Sequence, residues 1–73
     1  MNRKEIGNAL RMLRGSKPQT EVCEAIGIGR SALNNYELGL RIPRDEIKVK
    51  LANYYGKSVQ ELFFSGNNTK RAV

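Results

Sequence analysis

The side chains best placed for chemistry in this sequence serve recognition rather than bond-making. Arg30, Ser31, Asn34 and Asn35 lie close together, all can donate hydrogen bonds, and none is apolar or acidic. Arg suits guanine O6 and N7, Asn suits adenine N6 and N7, and Ser suits a base or a phosphate, so the set matches a helix laid in a DNA major groove. Ser31 has a second reading, because a Ser in a first helical turn often only satisfies a free N–H. Catalytic parts are missing. With no His, one Cys and scattered carboxylates, the chain offers neither imidazole base chemistry nor a zinc ligand set. One Cys also excludes an internal disulfide. The expectation is a protein that is not an enzyme and carries no cofactor or metal.

The elements that must position these residues follow from apolar spacing and punctuation. Asn2 and Glu5 form a capping box, and Ile6, Leu10 and Leu13 then make one helical stripe that Gly15 to Pro18 terminates. A second helix starts at Pro18 or Gln19, carries Val22 and Ile26 inward, and stops at Gly27. A third runs from Arg30 to about Glu37, with Leu33 and Tyr36 inward and Gly39 beyond its end. A fourth follows Pro43, with Asp45 and Glu46 in its first turn and Ile47, Leu51, Ala52 and Tyr55 as its inner stripe. Ile47, Val49 and Leu51 also alternate as a strand would, but the length from Asp45 to Tyr55 favours a helix. Ser58 and Glu61 form a second capping box before a short last helix with Leu62, Phe63 and Phe64.

Short helices joined by Gly and Pro, two of them meeting at a tight turn, describe a DNA-reading helix-turn-helix. Gly27 supplies the residue tolerant of positive φ, and Cys23 the small side chain where two helices cross. Cys23 reads as packing rather than as a redox sensor. Tyr36, Tyr54 and Tyr55 have the spacing of core and rim rather than of base stacking.

The strings Leu10 to Arg14, Gln19 to Gly27 and Arg30 to Glu37, followed by Gly39, Arg41, Pro43, Leu51-Ala52, Gly56 and Ser58 to Phe63, together resemble the Cro/C1-type (Xre-type) helix-turn-helix regulators of phages and mobile elements. The resemblance runs from about Ile6 to Phe64. It implies an all-α, five-helix, lambda-repressor-like domain over residues 1–66, while the polar, basic composition of residues 67–73 reads as a disordered tail. It also implies base contacts from Arg30, Ser31 and Asn35, with Asn34 beside them, and phosphate contacts from Gln19, Thr20, Arg41 and Arg44. Arg14 and Glu37 become a structural ion pair. Three positions depart from the family pattern. The link from Arg14 to Gln19 is short, Gly29 replaces the usual Ser or Thr cap, and Lys48 takes an apolar core position, so that Ile47 and Val49 must share its burial.

Phe63 and Phe64 are adjacent, so one points inward and the other is a candidate dimer contact. Lys70 and Arg71 read as a solubilising tail or as a basic arm reaching phosphate. With 13 Lys and Arg against 7 Asp and Glu, the net charge of +6 suits a polyanion or a membrane surface. The basic residues gather on no amphipathic face, and they flank the polar third helix instead, which favours duplex DNA. The expected partners are a double-stranded operator and a second copy of the chain, with no membrane and no small-molecule ligand domain. The apolar runs are too short for a membrane span or a signal peptide, giving a cytoplasmic expectation. The competing reading is a protein-interaction module, such as an antitoxin or antirepressor.

Overall fold

The computed structural model describes residues 2–64, and among them the regular structure is entirely helical. Helix α1 spans Arg3–Arg14, α2 Gln19–Ile26, α3 Arg30–Glu37 and α4 Asp45–Tyr55. A single π-type turn, Gln60–Phe64, is the last element among the described residues. The expected tail, with Lys70 and Arg71, lies outside the described residues. No helix is long and apolar enough to cross a membrane among those described.

Local chemistry explains each boundary. The Glu5 N–H donates to Asn2 Oδ1 at 2.9 Å while the Asn2 N–H donates to Glu5 Oε1 at 3.0 Å, so α1 opens with two of its otherwise unpaired donors satisfied. Arg11 and Arg14 occupy its last turn, where the dipole favours positive charge. Gly27 ends α2 in the left-handed region at φ 79, and its N–H donates to the Cys23 carbonyl at 2.8 Å. A side chain with a Cβ is strained there, so Gly27 sets the tight turn into α3. Ser58 and Glu61 repeat the reciprocal cap at 3.0 Å each way, but one turn of wider i→i+5 winding follows instead of the expected α-helix.

The core gathers residues from every element: Ile6 and Leu10, Val22, Cys23 and Ile26, Leu33 and Tyr36, Leu51 and Ala52, and Leu62 and Phe63. Helix α3 is central, packing on both α1 and α2, while α2 also packs on α4. Leu10 and Leu33 are fully buried, and truncating either to Ala should cost about 2–5 kcal/mol. Helix α1 approaches α3 at Gly7, where an added Cβ would stand 2.5 Å from the Glu37 carbonyl oxygen and 2.8 Å from that of Tyr36. No other residue type fits without moving the helices apart.

Leu13 completes the α1 stripe, half-buried and packed against the core. One sequence expectation needs correction, in α4. Val49 does not share the burial assigned to it, being 47% exposed. Lys48 itself fills the space: its side chain is 14% exposed, and its ammonium sits 5.0 Å from the Phe64 ring centroid and 5.8 Å from that of Phe63. A long aliphatic stem can line apolar surface while its charged head reaches the rim.

Candidate nucleic-acid interface

Helix α3 is short, eight residues, and its faces are chemically separate. Leu33, Tyr36 and Glu37 are buried, whereas Arg30, Ser31 and Asn34 are exposed. Positions 30 and 34 are one helical turn apart, and 31 and 34 nearly so, which aligns the three on one side. Its first turn carries no acidic residue, so no negative charge opposes an approaching phosphate. Gly29 caps the helix through its backbone only, with its carbonyl accepting from the Leu33 N–H at 3.2 Å.

The start of α2 stands beside this face. Gln19, Arg30, Ser31 and Asn34 line one shallow concavity, and Arg14, Pro18, Gln19, Thr20 and Arg30 line its neighbour. Asn35 is not part of this grouping. It is half-buried, and its main-chain carbonyl accepts from the N–H groups of Leu40 at 2.9 Å and Arg41 at 3.3 Å, which secures the loop after α3. Arg41 lies in that loop and Arg44 at the cap of α4, both exposed.

An ion pair underlies the face. Arg14 Nε donates to Glu37 Oε2 at 2.7 Å and Arg14 Nη2 to Glu37 Oε1 at 2.9 Å, a two-pronged contact. The Glu37 side chain is 2% exposed and that of Arg14 19%. Hydrogen bonding to Glu37 raises the Arg14 pKa above its ordinary value. Arg14 Nη1 also donates to the Lys17 carbonyl at 2.8 Å, tying down the short link into α2. Lys17 extends the tie to α4, donating to the Tyr54 hydroxyl at 3.1 Å, which raises the lysine pKa.

Gln19 joins the ion pair to the outer face. Its Nε2 donates to Glu37 Oε1 at 3.0 Å and to Asn34 Oδ1 at 3.3 Å. Both amide hydrogens are thereby engaged, so the main-chain N–H is the donor Gln19 has left for a phosphate. A single sequence does not announce this link, though Asn34 and Glu37 at i, i+3 share a helix side. Gly7 was the other position missed. An interior helical Gly is unfavourable and hints at close approach, but only the structure identifies what approaches.

Elsewhere the candidates divide. Phe63 is 1% exposed and belongs to the core, so it drops out as a surface contact, whereas Phe64 is 42% exposed. Cys23 is buried, and burial pushes its thiol pKa up, away from the reactive thiolate.

A polar, donor-rich α3 beside the start of α2, held across a glycine turn, is a helix-turn-helix. The sequence pattern of a helix-turn-helix family matches residues 9–62, and the chain belongs to that family. Over 44 residues it is 41% identical to the cryptic phage CTXphi transcriptional repressor RstR of Vibrio cholerae. That stretch covers 60% of this chain but only 40% of the length of the relative. No solved structure matches the chain.

Proposed function

We propose that this protein is a sequence-specific repressor that binds double-stranded DNA as a homodimer on a palindromic operator. The observation that carries this reading is the exposed face of α3, where Arg30, Ser31 and Asn34 present hydrogen-bonding groups beside the N-terminus of α2. Arg30 and Asn34 read base edges, with Ser31 and Asn35 at the margins of the contact. The first main-chain N–H groups of α2, at Gln19 and Thr20, have no partner within their own helix and take a phosphate. Arg41 and Arg44 hold the backbone on the far side and fix the register. Phe64 is offered to the second copy. The repressor named among its relatives supports repression as the outcome.

Selection from a random duplex library tests the proposal. The expected result is an enriched inverted repeat whose half-sites lie about 34–36 Å apart on one DNA face. Failure to enrich any sequence refutes it. Arg41→Ala should lower the salt slope of log K by about 1 if it holds one phosphate, and an unchanged slope removes that role.

A protein-interaction module, such as an antitoxin or antirepressor, is the second reading. It draws on Leu38, Leu40 and Ile42, which are exposed between α3 and α4 at 52%, 60% and 49%. The outward face of α3 carries no such anchor, and protein-docking centres are built on aromatic and aliphatic groups. Titration against random duplex at low salt separates the two, because absence of binding sinks the DNA reading.

A further inference from the structure

A carboxylate can only accept hydrogen bonds. Both Glu37 side-chain oxygens accept from Arg14, at 2.7 and 2.9 Å, so the Gln19 amide must turn its NH2 group towards them, as the 3.0 Å contact to Oε1 records. The second hydrogen of that NH2 then faces Asn34, which must answer with its oxygen, since two NH2 groups would repel. Asn34 is exposed and has its Oδ1 turned inward to Gln19, which leaves its own NH2 facing out. The polarity of the outer face is therefore dictated, step by step, by a charge buried beneath it.

We propose that the Arg14–Glu37 pair, relayed through Gln19, fixes Asn34 as a hydrogen-bond donor, so that Asn34 selects guanine in the major groove rather than adenine. The familiar Asn–adenine pairing needs the amide oxygen to accept from N6 while the NH2 donates to N7. With the oxygen engaged by Gln19, that two-pronged contact is not made. Guanine presents two adjacent acceptors, O6 and N7, to an outward NH2, whereas cytosine presents only a donor and is rejected. Gln19 is thus a positioning residue, acting on specificity through Asn34. This inference rests on the reading of α3 as the base-contacting surface.

The test measures the affinity of the wild-type protein, Asn34→Ala and Gln19→Leu for duplexes carrying each of the four bases at every operator position. The position whose preference vanishes in Asn34→Ala belongs to Asn34. There the wild type should favour guanine over adenine by at least about fivefold. Gln19→Leu, which keeps the bulk of the side chain but no donor, should bring that ratio near one and leave every other position unchanged, including the one read by Arg30. A purely structural role for Gln19 would not move one position alone. Asn34→Asp supplies a second variant, since an outward carboxylate oxygen should shift the preference to cytosine. Several results overturn the proposal while leaving DNA recognition intact: a wild-type preference for adenine at that position, a Gln19→Leu effect spread over all positions, or no preference lost in Asn34→Ala. Indifference of the wild type to sequence overturns the base-reading surface itself and this inference with it.

Discussion

The brace beneath α3 and the seam between α4 and the terminal turn use buried polar groups in opposite ways. Under α3, Glu37 is 2% exposed and accepts from Arg14 twice and from Gln19 once. Its direction is fixed by geometry on several sides. In the seam, Lys48 contributes mainly its stem, with its ammonium 5.0 Å from the Phe64 ring centroid and 3.7 Å from Asp45 Oδ1. The Tyr55 hydroxyl, which feels the charges of Glu37 and Arg14 rather than that of the seam, is buried with no hydrogen-bond partner among the described residues. The contrast teaches where orientation matters. Beneath the face that carries Arg30 and Asn34, polar partners fix angles, whereas in the seam the Lys48 side chain mostly fills volume.

The two regions should therefore break differently. Arg14→Ala should have the largest effect, about 3–5 kcal/mol in urea unfolding, because it strands the Glu37 carboxylate. A loss below about 1 kcal/mol would mean that water reaches Glu37 as soon as Arg14 is gone. Gly7→Ala should follow, at about 1–3 kcal/mol, since its methyl would press into the Glu37 and Tyr36 carbonyls at the same crossing. Lys48→Met should change stability by less than about 1.5 kcal/mol, because it keeps the covered stem and removes only the loosely held charge. A loss as large as that of Arg14→Ala would erase the proposed distinction.

The smallest effect at neutral pH belongs to Tyr55→Phe, which removes a buried hydroxyl that no partner satisfies. It should be neutral or stabilise by up to about 1 kcal/mol. Its pH dependence is more telling. Burial first, and the Glu37 charge second, push the Tyr55 pKa from 10.0 up to about 12. Folding thus favours the neutral phenol, a contribution fully present below pH 10 and lost as pH rises to about 12. Wild type should lose thermal stability relative to Tyr55→Phe across that window. Parallel curves would show that the hydroxyl is not held in the core.

Much of the architecture was legible because it rests on local chemistry. The Asn2–Glu5 and Ser58–Glu61 caps, the glycine turn at Gly27 and the apolar stripes are short-range patterns with one physical solution each. What escaped was set by distance in sequence. Val49 and Lys48 are both plausible core fillers in a helix, and only the position of Phe63 and Phe64 decides for the lysine stem. Asn35 and Asn34 are alike as letters, yet Asn35 is half-buried while Asn34 is exposed and joins the outer face through Gln19. The π-type winding of the last turn left no mark in its residues that a cap and three apolar side chains could reveal.

Base reading by the exposed face of α3, as proposed, is open to one decisive binding measurement. Wild type and Arg30→Ala are titrated against the selected operator and against a scrambled duplex at one salt concentration. Wild type should bind the operator at least about a thousandfold more tightly than the scrambled duplex. Arg30→Ala should lose about 1–3 kcal/mol on the operator while binding the scrambled duplex nearly as before. Equal wild-type affinity for the two duplexes, or an equal loss on both in Arg30→Ala, would mean that α3 reads no bases.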